Sequence, residues 1–133
     1  MSIQIDISVG ELLDKITILQ IKSERISDVA KLENINKELG ILQTQWSSSS
    51  YKNNDLDKIT NALKIVNEKL WDIEDKIRIK ESQQCFDNEF IELARSVYFV
   101  NDERAKIKRE LNSQSGSALV EEKSYSDYSA DKS

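Results

Sequence analysis

The sequence predicts an all-α fold: an antiparallel three- to four-helix bundle with coiled-coil-like seams, a short extended N-terminal arm and a polar C-terminal tail. Three observations lead there. Leu56, Ile59, Leu63, Val66, Leu70, Ile73 and Ile77 follow one another at alternating steps of three and four residues, the spacing that keeps one stripe of a helix facing a partner helix. Phe90, Leu93, Val97, Val100, Arg104, Ile107 and Leu111 repeat it. The chain has no proline and three glycines in 133 residues, so little in it breaks a helix.

The elements follow in order. Ile3, Ile5 and Ile7 alternate with polar residues like a strand, but no second strand-like run exists to pair with them, so an extended arm is expected. Ser8 and Glu11 are spaced as a capping box, which starts a first helix at Val9. Its stripe is Val9, Leu12, Ile16, Leu19, Ser23 and Ile26, whereas Ile18 and Ile21 point elsewhere and suggest a second buried or subunit-facing side. The following stripe, Leu32, Ile35, Leu39, Leu42 and Trp46, is shifted by one position, which predicts a kink or break near Ser27, with Ser27-Asp28 as a fresh cap. The polar run 47–54 reads as a loop, and Asn54 or Asp55 is the expected cap of the next helix. That helix spans about 40 Å at 1.5 Å per residue. After Ser82 a junction precedes a last helix capped by Asp87 or Asn88, with Cys85 as a small apolar filler at the junction. Residues 1–112 form the expected domain. The Ser-rich remainder, 113–133, reads on composition as a disordered tail.

Composition restricts the chemistry. With no histidine and one cysteine, histidine acid–base catalysis, Ser-His-Asp and Cys-His nucleophiles and the usual His/Cys zinc sites cannot be assembled within the chain. The net charge of −5 is spread without a basic block, which disfavours nucleic acid and anionic membranes as partners. A start without a basic region or long apolar run, together with a lone thiol, reads as cytosolic. No cofactor or metal is expected.

Three groups remain as candidates. Arg104 interrupts an apolar seam, and a buried guanidinium requires a carboxylate; Glu74, Glu81 and Asp14 are in contention. Pinning of helix register is favoured over anion binding. Glu68, Asp72 and Asp75 lie on adjacent turns at a spacing suited to oxygen coordination of a divalent cation, but the heptad phase turns Glu68 and Asp75 towards solvent. Trp71, Asp75 and Arg78 share that outer face, either as an interface anchor or as a cover over a neighbouring helix. Phe99 lies off its stripe and joins Ile18 and Ile21 as an expected oligomer face.

The stretches ISVGELLDKITILQIKSERI (7–26), VNEKLWDIEDKIR (66–78), FDNEFIELARSVYFVNDERAKIKRELN (86–112) and GSALVEEKSY (116–125) resemble a family of short, functionally uncharacterised all-helical proteins. The family is found in bacteria, often near surface-polysaccharide genes, and in marine tailed phages. The resemblance makes Glu11, Asp14, Lys15, Lys22, Trp71, Asp72, Asp75, Arg78, Asp87, Arg95, Asn101, Asp102 and Arg104 motif positions without assigning them chemistry. It also implies that 116–125 docks on the bundle, against the compositional reading, while 126–133 stays loose. The candidate ligand- or partner-binding set is therefore Lys15, Lys22, Trp71, Asp75, Arg78, Arg95, Asp102 and Arg104. The leading expectation is a non-catalytic interaction or accessory protein that forms a homo-oligomer, a dimer being favoured, or engages a protein partner. One alternative is a metal-dependent enzyme similar to the all-α nucleoside-triphosphate pyrophosphohydrolases, although their EExxE…ExxD pattern is missing. Another is a small-anion binder or a chorismate-mutase-like fold using Lys15, Lys22, Arg25 and Arg104.

Overall fold

The computed structural model describes residues 2–124. They are all-helical: α1 (Val9–Arg25), α2 (Val29–Ser47), a 3₁₀ turn (Asn54–Leu56), α3 (Asp57–Ser82) and α4 (Asn88–Ser115), with no strand among the described residues. Residues 2–8 form neither helix nor strand, and Ile3 and Ile5 are exposed. The expected tail segment 126–133 lies outside the described residues.

α1, α2 and α4 each start where a short polar side chain satisfies a free backbone N–H. Ser8 Oγ accepts from the Glu11 N–H at 3.1 Å, Asp28 Oδ1 from the Lys31 N–H at 2.9 Å and Asp87 Oδ1 from the Phe90 N–H at 2.9 Å. The expected break near Ser27 is present: Ile26 leaves the helix with φ −90° and ψ 133°, and Asp28 begins α2. The cap expected at Asn54 or Asp55 is displaced. Asn53 instead accepts from the Asp55 N–H at 2.9 Å and caps the 3₁₀ turn, so α3 follows that turn with no side-chain cap of its own. Gln84, in the left-handed region at φ 52°, turns the chain out of α3, and Gly116 at φ 70° does the same after α4. α4 thus continues to Ser115, four residues past Leu111, the last position of the apolar stripe.

Burial is concentrated at one end of the molecule. Val9, Leu13 and Ile16 of α1 meet Leu56 of the 3₁₀ turn, Leu63 of α3 and Leu111 of α4. α1 touches the three other α-helices, whereas α2 touches α1 alone. The α2 stripe rests on this core only through Leu39, Leu42 and Trp46, and no α2 residue is buried. Along α3 and α4 ion-pair partners run in opposite order: Lys69 meets Glu103 at 3.8 Å and Lys80 meets Asp87 at 2.8 Å. No residue from 68 to 99 is buried, although the apolar spacing runs on to Ile77 in α3 and resumes at Phe90 in α4.

At this same end α1 sits directly on α4. A Cβ built on Gly10 would lie 2.6 Å from the Lys108 carbonyl oxygen, so only glycine permits this approach. The exposed N–H groups of the first turn of α1 are then satisfied from α4 and the residues after it. The Gly10 N–H donates to Asn112 Oδ1 at 2.7 Å and the Val9 N–H to Ser117 Oγ at 3.1 Å.

Candidate functional site

The carboxylate that Arg104 requires is Asp14, 1% exposed on the inner face of α1. Arg104 Nε donates to Asp14 Oδ1 at 2.9 Å, and a second guanidinium nitrogen, Nη2, donates to Oδ2, a two-pronged arrangement that fixes both planes. Asn67 Nδ2 on α3 donates to Asp14 Oδ1 and to Thr17 Oγ1, both at 3.0 Å. Lys108, one turn beyond Arg104, places Nζ 2.8 Å from Glu11 Oε2, 3.1 Å from Glu121 Oε2 and 3.8 Å from Asp14 Oδ2. Three helices and the segment after α4 therefore meet in one polar cluster, and no buried side-chain nitrogen or oxygen among the described residues lacks a partner. Complete satisfaction is what makes such a cluster tolerable in a low-dielectric interior.

The electrostatics follow from these contacts. The hydrogen bond to Asp14 holds the Arg104 guanidinium above its ordinary value, against the opposing effect of burial. Burial pushes the Lys108 ammonium down, but its bonds to Glu11 and Glu121 and the field of Asp14 outweigh this and leave it raised. Glu121 is lowered from 4.5 to about 2 by its hydrogen bonds to Lys123 and Lys108. A lowered carboxylate stabilises the folded arrangement above its unfolded value, and that contribution disappears as pH falls through the folded value. Acidification from about 4.5 towards about 2 is therefore expected to release the 117–123 segment from α4. Amide-resolved NMR across this range checks it; resonances of this segment that do not move would exclude the coupling.

Beside the cluster lies a cleft of about 460 Å³ between α1, α3 and α4. Its apolar lining is Ile18, Ile21, Leu70 and Trp71; its polar lining is Asn67, Glu74, Asp75, Arg78, Asn101 and Arg104. Trp71 is half-buried, with the Arg25 guanidinium 5.8 Å from its ring centroid. Arg25 also reaches Asp72 at 2.6 Å and Glu68 at 3.8 Å. Two members of the acidic trio are thereby turned towards an arginine rather than towards each other, and no group of three or more metal-ligating side chains is assembled among the described residues.

The structure brings Trp71, Asp75, Arg78 and Arg104 together in this cleft and leaves the other four candidates outside its lining. Lys15 is exposed, 4.0 Å from Glu11, and Lys22 is half-buried in the last turn of α1. Arg95 is exposed, 3.3 Å from Glu92, and lies over the Phe99 ring at 5.9 Å. Asp102 is half-buried on α4. Of the three residues of the expected oligomer face, Ile21 alone is closed off within the chain. Ile21 is 1% exposed and faces inward, Ile18 is half-buried on the cleft wall, and Phe99 is half-buried beside Tyr98 on α4. The helical phase that separates Ile18 and Ile21 from the main stripe turns both towards the cleft between α1, α3 and α4.

Sequence reasoning missed Asn67, Lys108 and Asn112. A signal existed for two of them: Arg104, Lys108 and Asn112 are spaced by four, a polar stripe that extends the position Arg104 had already marked. No spacing rule points to Asn67, whose role depends on the crossing of α1 over α3.

The fold and site define an all-helical protein whose polar cluster ties helices together and whose described helices include none long and apolar enough to cross a membrane. The chain belongs to a family of unknown function, DUF6165, whose model matches residues 3–133. No curated protein and no solved structure matches it.

Proposed function

We propose that the protein is a non-catalytic interaction or accessory protein: an antiparallel helical bundle with coiled-coil-like seams that associates with a second copy of itself. One observation carries this reading. The side chains best suited to chemistry are engaged within the chain, Arg104 by Asp14 and the acidic pair Glu68 and Asp72 by Arg25, while large apolar side chains remain uncovered. Ile79, Phe86, Ile91 and Tyr98 are exposed on a hairpin in which no residue between 68 and 99 is fully buried. Exposed apolar surface of this kind marks association. The descending order of α3–α4 partners supports the antiparallel arrangement, and the bonds of Ser117 and Glu121 support a tail that straps α4 to α1. The bacterial surface-polysaccharide and phage settings implied by the sequence resemblance suit an accessory role. A hydrolase would need carboxylates converging on one point, and an anion binder would need Arg104 and a lysine in one enclosed pocket; the cleft lining contains no lysine.

Sedimentation velocity over a range of concentrations tests the reading. The expected result is a weight-average mass rising from 15.3 kDa towards twice that value. A mass fixed at 15.3 kDa up to the highest soluble concentration would overturn it.

A further inference from the structure

We propose that two copies of the chain join through the cleft between α1, α3 and α4, around a two-fold axis with Trp71 as the central anchor. This rests on the self-association reading and assigns it a surface and a charge pattern.

The apolar part of the surface continues past the cleft. Asn101 lines the cleft from α4, and Tyr98, one turn earlier on the same helical face, is 45% exposed. Ile91, seven residues before Tyr98, is 50% exposed. By helical spacing Tyr98 and Ile91 share the face of α4 from which Asn101 reaches the cleft that Trp71, Leu70 and Ile18 line. Aromatic residues in such a position, bordered by arginine, carry most of the binding energy of an interface.

The charges identify the occupant. The chain carries −5 overall and its 68–99 hairpin has more acids than bases, so two copies meeting at random faces repel. The cleft lining holds both signs: Glu74 and Asp75 stand beside Arg78, while the charge of Arg104 is met by Asp14. In a two-fold interface each residue meets its counterpart's neighbour reciprocally, so the patch must be self-complementary and hold both signs. A strongly basic or strongly acidic partner would call for an unbalanced lining. Arg104 is fixed by Asp14, so the group available for exchange is Arg78. Its Nε lies 3.7 Å from Glu74 of its own helix with 79% of the side chain exposed, a pairing of the weak surface kind. Across the axis, Arg78 of one copy meets Glu74 and Asp75 of the other.

Charge reversal in the full-length chain tests this by sedimentation velocity, with far-UV circular dichroism to verify folding. Arg78→Glu is so exposed that the fold should be retained, and it is expected to weaken dimerisation at least tenfold. The double variant Glu74→Arg/Asp75→Arg should weaken it similarly. An equimolar mixture of the two should recover association, because each now presents what the other lacks. Trp71→Ala should also weaken dimerisation at least tenfold. Variants that dimerise as tightly as the unmodified chain, or that lose association without recovery in the mixture, overturn the location while leaving self-association intact. A monomeric unmodified chain overturns both.

Discussion

Replacing Asp14 with alanine is expected to destabilise the fold by about 3–5 kcal/mol, the usual cost of leaving a buried charge without its partner. The argument rests on what remains. Arg104 loses two hydrogen bonds and keeps only a long one of 3.4 Å to Asn101, Asn67 loses an acceptor, and Lys108 keeps Glu11 and Glu121 but loses the carboxylate behind them. Two cations then face each other at the junction of α1, α3 and α4 with less negative charge between them. Total stabilities of domains this size are about 5–15 kcal/mol, so much of the margin would disappear. Urea denaturation followed by circular dichroism measures the change. Asp14→Asn, which preserves shape and one acceptor, should lose less. The double variant Asp14→Ala/Arg104→Met should recover part of the loss, because a buried ion pair replaced on both sides by apolar groups is often tolerated. A loss below about 1 kcal/mol for Asp14→Ala, the range of an exposed pair, would show that the cluster does not tie the helices together.

The same cluster shows how far the sequence could be read. An arginine in an apolar heptad position demands an acid, and that demand was legible at Arg104. The choice among Glu74, Glu81 and Asp14 was not, because it depends on which helix crosses the seam at that height. Helix starts at Ser8, Asp28 and Asp87 were readable, since a cap acts over three residues and needs no tertiary knowledge. The break after Arg25 was readable for a similar reason: a stripe that shifts by one position cannot stay on one straight helix against one partner. Periodicity fails where the partner matters. It showed that Ile18 and Ile21 occupy a separate face but not that this face walls a cleft with α3 and α4, and it gave α2 a clear apolar stripe that the structure leaves half-exposed against α1 alone. The cleft was legible only in pieces, as Trp71, Asp75 and Arg78 on one helix and Arg104 on another, because a cleft belongs to the gap between helices and no single periodicity encodes a gap.

Gly10→Ala separates local propensity from tertiary fit, since the two predict opposite signs. In a solvated helix, alanine is favoured over glycine by about 1 kcal/mol. Here the added Cβ would stand 2.6 Å from the Lys108 carbonyl oxygen and 3.0 Å from Asn112 Oδ1. The first of these atoms is backbone within α4 and cannot rotate away. Relief requires α1 to lift from α4, and that movement lengthens three linked bonds: Gly10 N–H to Asn112, Val9 N–H to Ser117 and Lys108 Nζ to Glu11. The expected result is a net loss of about 1–3 kcal/mol, the range for an added methyl group in a packed contact. It is read as a lower midpoint in thermal unfolding, with the α1–α4 bonds weakened first in amide exchange. An unchanged or raised midpoint would mean that α1 and α4 do not approach this closely. The polar cluster, which depends on that approach to bring Glu11 and Asp14 to Lys108 and Arg104, would then need a different geometry.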